Sequence, residues 1–253
     1  MMKLTYLGQM CYLIECGDLK IVTDPYLSDS VDSKDSHRNY PPPTTLCELL
    51  PDIIVISHPH GDHLDKKSLE PFYNLRRRSY TLVPAPSADT IRSIGGDAVE
   101  MRAPAPAQFG EPFGLDGVSI YPLPCAHTEL HTDSAGDYCE LSYLIDYGNC
   151  RIFFGGDMSI YGGLVEMLAD TKPDVMLLPV NGRDWFRTSR NIIGNLDSNE
   201  AAELSVVCGA KLFIPGHHDL YSKNGCPNDW IEYSARKFGA PLKLLAPGES
   251  VEL

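Results

Sequence analysis

Ser57-His58-Pro59-His60-Gly61-Asp62-His63 places four metal-ligand side chains within six consecutive residues. The run before it, Asp52-Ile53-Ile54-Val55-Ile56, is apolar and β-branched and reads as a buried strand. Pro59 and Gly61 then interrupt regular structure, so the ligands sit on a tight loop at the strand's end. His58 and His60 lie two apart in extended chain, which sends both rings to one side, where they can share an ion. Beyond the turn at Gly61, Asp62 and His63 point elsewhere, as suits a second ion close by. Imidazole and carboxylate suit zinc, and the harder carboxylate also admits manganese or iron. A lone His-X-His is most often a polar surface loop; the full H-x-H-x-D-H string directly after a strand is far rarer by chance.

Upstream, Lys3–Leu7, Cys11–Cys16 and Leu19–Thr23 read as short strands with turns at Gly8 and Gly17-Asp18, closed by Asp24-Pro25. Residues 26–46 are polar and proline-rich and read as a long loop near the site mouth, with His37 and Arg38 solvated. Downstream, the spacing predicts a helix over Lys66–Leu75, a strand over Thr81–Pro84, a helix over Ser87–Ile94 and a strand over Ala98–Arg102. That alternation suits a sheet covered by helices. Gly117–Cys125 is the next strand, and His127 follows its end. Leu141–Tyr147 and Arg151–Phe154 form a hairpin that leads into Gly155-Gly156-Asp157. Paired glycines let the backbone approach closely, and a carboxylate there can bridge two cations. A helix over Ile160–Ala169 and a strand over Asp174–Val180 follow. Asp197 caps a further helix, with Glu200 completing a capping box. The strand Lys211–Pro215 ends at Gly216-His217-His218-Asp219; the helix Trp230–Phe238 and a strand over Leu242–Leu245 complete the chain. With no linker or repeat, residues 1–253 are expected to form one domain.

The order H-x-H-x-D-H, histidine, G-G-D, histidine, each at a predicted strand end, resembles the metallo-β-lactamase superfamily. The opening T-Y-L-G-x-x-x-Y-L-I-E-C-G-x-x-x-I-V-T-D-P is similar to that superfamily's as well. The resemblance implies an α/β (α+β) fold, a four-layer αββα sandwich with metals at one sheet edge. It implies a first divalent ion on His58, His60 and His127 and a second on Asp62, His63 and His217. Asp157 would bridge the two, and Asp24 would buttress the metal loop from behind. It also implies a hydrolase in which the ions acidify a shared water and polarise the scissile carbonyl or phosphoryl oxygen. Asp62 would orient the nucleophile and shuttle its proton. Within the superfamily, N-G-R-D-W-F at 181–186 and I-P-G-H-H-D-L-Y-S at 214–222 resemble the L-ascorbate 6-phosphate lactonase group. That group opens a phosphorylated sugar-acid lactone and is often described with manganese.

Arg183, Arg187 and Arg190 are three arginines in eight residues beside the presumed site of an acidic chain. Guanidinium forks match phosphate or carboxylate oxygens, so these residues read as substrate contacts, with Lys223 available and His218 facing substrate or the metal surround. Ordinary surface arginines, or a contact between subunits of a homo-oligomer, are the competing readings. The net charge of −13 argues against a sequence-independent grip on nucleic acid or on an anionic membrane. A small anionic substrate remains compatible, since metals dominate the field of a cleft. No apolar run approaches the ~20 residues that cross a bilayer, and Met1–Tyr6 leads straight into a strand, so a cytoplasmic protein is expected. The eight cysteines form no C-x-x-C pair and read as buried free thiols. A phosphodiesterase would use the same ligand set; a nuclease would add a basic surface, which is absent. A non-catalytic metal protein would bind ions without turnover.

Overall fold

The computed structural model describes residues 2–34 and 36–253 as two mixed sheets with helices outside them. The first sheet takes β1 (Met2–Gly8), β2 (Cys11–Cys16), β3 (Leu19–Thr23), β4 (Ile53–Val55), β5 (Tyr80–Pro84) and β6 (Ala98–Met101). The second takes β7 (Phe113–Leu115), β8 (Val118–Pro124), β9 (Leu141–Tyr147), β10 (Cys150–Phe154), β11 (Val175–Pro179) and β12 (Leu212–Gly216). The last strand, β13 (Ser250–Glu252), returns to the first sheet beside β1. Helices α1 (Leu46–Leu49), α2 (Lys66–Tyr73) and α3 (Ala88–Ser93) pack on the first sheet. After α4 (Leu164–Thr171) and a short α5 (Trp185–Thr188), α6 (Ser198–Val207) and α7 (Asn228–Phe238) join α4 on the second.

Side chains alternate along each strand, and this sorts the apolar residues into three layers. Ile53 and Val55 of β4 meet Ile152 and Phe154 of β10 in the core between the sheets. Ile54 turns outward to Leu69, Phe72 and Ile91 of α2 and α3. Phe153, Met176 and Phe213 turn outward to Leu168, Leu204 and Ile231. The result is the αββα sandwich.

Strand direction decides what this scaffold can present. In the first sheet β3, β4, β5 and β6 run parallel, and β1 shares their direction through two antiparallel pairings with β2. In the second sheet β10, β11 and β12 run parallel, and β8 shares their direction through β9. The loops after β1, β3, β4, β8, β10 and β12 meet along one edge. The Leu141 N–H bonds the Ser57 carbonyl there at 2.9 Å, and the Tyr143 hydroxyl bonds that of Ile56 at 3.0 Å. In open α/β sheets such carboxyl ends are where ligands bind.

Several expectations shift. Residues 242–245 make a single bridge, Leu242 to Phe213, and the chain then crosses to the first sheet, where Gly248 bonds the Tyr6 carbonyl and β13 pairs with β1. Helix α4 starts at Leu164, because Gly162-Gly163 are poor helix formers. Arg38 is half-buried: its guanidinium bonds the Tyr40 and Ser28 carbonyls and lies over the Tyr26 ring. All eight cysteines are free, and no helix among the described residues is long and apolar enough to cross a membrane.

The intersheet core predicts a sharp contrast in stability. Phe154→Ala, at 0% exposure, should lose roughly 3–5 kcal/mol in urea unfolding, whereas Phe186→Ala, at 63%, should change it by less than about 0.5 kcal/mol. Equal losses would contradict this layer assignment.

Candidate metal centre

A buried carboxylate organises the strand edge. Asp24 leaves β3 at φ 32°, its N–H bonded to the Val55 carbonyl at 2.8 Å. Its Oδ1 accepts from the Ser57 N–H at 2.7 Å, and its Oδ2 from the Ser57 hydroxyl at 2.6 Å and His63 Nδ1 at 2.7 Å. A carboxylate only accepts, so each of these partners donates. Ser57, having given its one hydroxyl hydrogen to Asp24, accepts from His58 Nδ1 at 2.9 Å. Both imidazoles therefore carry hydrogen on Nδ1 and turn Nε2 to the edge.

The remaining side chains arrive from neighbouring loops. His60 sits on the exposed lip with Nδ1 2.9 Å from His58 Nε2. His127, past β8, is fixed by Ser159, whose N–H bonds the Ala126 carbonyl at 2.6 Å and whose hydroxyl bonds that of His127 at 2.8 Å. Asp157 follows Gly156, which adopts φ 63° against Ser57; a Cβ there would lie 2.7 Å from the Ser57 Cβ. His217 ends β12 at φ 55°, its N–H bonded to the Gln9 carbonyl at 2.8 Å. Gly216 permits that approach, since a Cβ would meet the same carbonyl at 2.8 Å.

Asp157 lies between two trios. Its Oδ2 is 3.3 Å from His127 Nε2 and 3.5 Å from His217 Nε2, and its Oδ1 is 3.4 Å from His63 Nε2. Asp62 Oδ2 stands 3.7 Å from His63 Nε2 and 3.6 Å from His217 Nε2. The donor atoms of His58, His60 and His127 fall within 4.8 Å of one another, as do those of Asp62, His63 and His217. Donors ~2.1 Å from a shared cation stand roughly 3–3.5 Å apart, so the spacing suits divalent ions. His63 Nε2 and Asp157 Oδ1 are buried and face each other at 3.4 Å, longer than a good hydrogen bond.

Charge follows burial and neighbours. Burial pushes His58 well below its ordinary pKa and lowers His127, which keeps both neutral with lone pairs available. Burial drives Asp157 upward, but His217 and His63 outweigh it and hold the carboxyl well below its usual range. The same contest, against His63 and His217, leaves Asp62 lowered. Burial opposes a proton on His63, yet Asp157, Asp62 and Asp24 raise it well above the ordinary value; His217 is raised by Asp157 and Asp62. A divalent ion competes with protons for these two imidazoles.

Gln9 belongs to the same cluster and has no signature in the sequence. It is buried in the β1–β2 turn at φ 57°, with Nε2 2.7 Å from Asp62 Oδ2 and 2.8 Å from His217 Nε2. A cavity of about 300 Å³ opens onto His60, Asp62, Asp157 and His217, with Asn191, Ile192, Ile193 and Asn224 completing much of its lining. None of the three arginines lines it. Arg183 grips Glu200 at 2.7 and 2.5 Å and bonds the Asn195 carbonyl at 2.8 Å. Arg187 pairs with Asp184 and bonds the Gly225 carbonyl at 2.8 Å, while Arg190 is exposed. His218 is buried, stacked on Tyr6 with centroids 5.8 Å apart, and burial lowers its pKa.

Known proteins resemble this chain over its whole length. It is 26% identical over 259 residues to a UPF0173 metal-dependent hydrolase of Korarchaeum cryptofilum, covering 100% of each chain. It spans 64% of the length of three uncharacterized mycobacterial proteins, each 26% identical over 246 residues. Among solved structures, the metallo hydrolase Igni18 of Ignicoccus hospitalis aligns with a TM-score of 0.73 at 19% identity, over 99% of this chain and 97% of that one. CmlA, a diiron β-hydroxylase from Streptomyces venezuelae, aligns with a TM-score of 0.73 at 16% identity, over 100% of this chain and 54% of that one. Likeness at these identities is likeness of fold. The beta-lactamase superfamily domain matches residues 3–217, and the chain belongs to that family.

Proposed function

We propose that the chain is a metal-dependent hydrolase that opens a small ester- or lactone-type carbonyl compound with water. The observation that carries this is the convergence of buried donors on Asp157, whose carboxylate lies 3.3–3.5 Å from the Nε2 atoms of His63, His127 and His217. Buried polar atoms in folded proteins are almost always partnered, and these donor types suit zinc, manganese or iron. His58, His60 and His127 would hold one divalent ion and Asp62, His63 and His217 a second, with Asp157 between the trios. Such ions supply Lewis acidity and bring the pKa of water to about 7. Asp62, its Oδ2 fixed by Gln9, orients a water in the cavity and accepts its proton. Ile192 and Ile193 give that cavity an apolar side. The name of the archaeal relative, a metal-dependent hydrolase, supports the reaction class.

The lactone half of the sequence expectation is kept and the phosphate half is not. Arg183 and Arg187 already hold Glu200 and Asp184, and no lysine or arginine is among the described residues lining the cavity. A volume of about 300 Å³ lies at the small end of ligand pockets.

Two outcomes follow. Chelator-treated protein resupplied with zinc or manganese should cleave p-nitrophenyl acetate or δ-valerolactone in preference to bis(p-nitrophenyl) phosphate. His60→Ala, at an exposed position, should lower that activity at least about 100-fold while far-UV circular dichroism stays unchanged. Retained activity in the variant, or cleavage of the phosphodiester alone, would overturn the proposal. Separately, Gln9→Ala should weaken metal affinity about 10–100-fold in competition with a chromophoric chelator, because Asp62 loses the donor that orients its carboxylate. An unchanged affinity would remove Gln9 from the centre.

A further inference from the structure

Asn224 lines the cavity of the metal centre from the loop after β12, and a neighbour with no alternative role fixes how its amide faces. Arg187 Nε can only donate, and it lies 3.2 Å from Asn224 Oδ1. Asn181 Nδ2 donates to the same oxygen at 3.0 Å, and Asn181 Oδ1 in turn accepts from Asn195 Nδ2 at 2.9 Å. The three amides thus run head to tail, each orientation dictated by the guanidinium at the end of the row. Asn181 and Asn195 are buried, and Arg187 is itself pinned by Asp184 and the Gly225 carbonyl. With Oδ1 twice occupied, what Asn224 has left to offer the cavity is its Nδ2 hydrogens.

We propose that Asn224 Nδ2 donates to the carbonyl oxygen of the substrate as negative charge develops on it, and that Arg187 is a positioning residue acting through Asn224. The inference rests on the hydrolase reading and gives it a substrate class. A neutral amide donor beside Ile192 and Ile193, with no lysine or arginine in the described lining, matches the oxygen of an uncharged acyl group. Preorganised donors aimed at developing charge act mainly on the chemical step, because they bind the transition state more tightly than the ground state. The arginine that sequence alone assigns to substrate thereby works one bond further back.

The test is a double-variant cycle with p-nitrophenyl acetate on metal-loaded protein, metal content being measured in every sample. Asn224→Asp keeps the size and the accepting oxygen and removes the donor; kcat should fall about 10²–10³-fold with KM within about threefold. Arg187→Ala should lower kcat as well, and the pair Arg187→Ala/Asn224→Asp should be no worse than Asn224→Asp alone. Independent losses that multiply would mean that Arg187 serves only the loop, and would overturn its positioning role. Wild-type turnover with Asn224→Asp unaffected would overturn the Asn224 proposal while sparing the hydrolase reading. No wild-type turnover of this ester or of δ-valerolactone would sink both together.

Discussion

One buried carboxylate sets the chemistry of this edge. Asp24 accepts three hydrogen bonds, two from Ser57 and one from His63, and through Ser57 it also fixes His58. Charge held in a low-dielectric interior is costly unless every lone pair finds a donor, so the loop closes in the one arrangement that supplies them. The same bonds that offset the cost of burying Asp24 turn the Nε2 atoms of His58 and His63 outward. Folding of the loop and preparation of the donors are one event.

The strand order gives that event its surroundings. Because β1, β3 and β4 share one direction and β8, β10 and β12 share theirs, residues far apart in the chain end up on adjoining loops. Gln9, Asp24 and His217 all adopt positive φ there, a conformation that side chains other than glycine rarely take. Strain of this kind, of order 1–3 kcal/mol per residue, persists where surrounding structure enforces it, and it gathers at functional sites. Hydrogen bonds hold it here: the Asp24 N–H to the Val55 carbonyl and the His217 N–H to the Gln9 carbonyl.

Much of this was legible in the sequence, and what was not has identifiable causes. Short apolar runs bounded by turn residues marked the strands, and His58, His60, Asp62, His63, His127, Asp157 and His217 stood beyond strand ends, where the structure brings them together. Gln9 was invisible because a glutamine in a turn has no local signal; only the parallel relation of β1 to β3 carries it to Asp62. The arginines of 183–190 looked like substrate contacts because charge and proximity in sequence suggested it. Arg183 meets Glu200 of a helix cap through tertiary packing that spacing does not encode, whereas Arg187 meets Asp184 three residues back at the N-cap of the same short helix. The closing strand was placed too early, since Leu242-Lys243-Leu244-Leu245 is the more apolar run yet makes a single bridge, while the ladder falls on the polar Ser250–Glu252.

Convergence of donors on cations is the claim on which the rest depends, and anomalous diffraction from crystals soaked in manganese or zinc salts tests it most directly. Two peaks should flank Asp157, about 3.5–4 Å apart, one against His58, His60 and His127 and the other against Asp62, His63 and His217. Peaks confined to surface carboxylates, with the edge left empty at millimolar metal, would contradict the account.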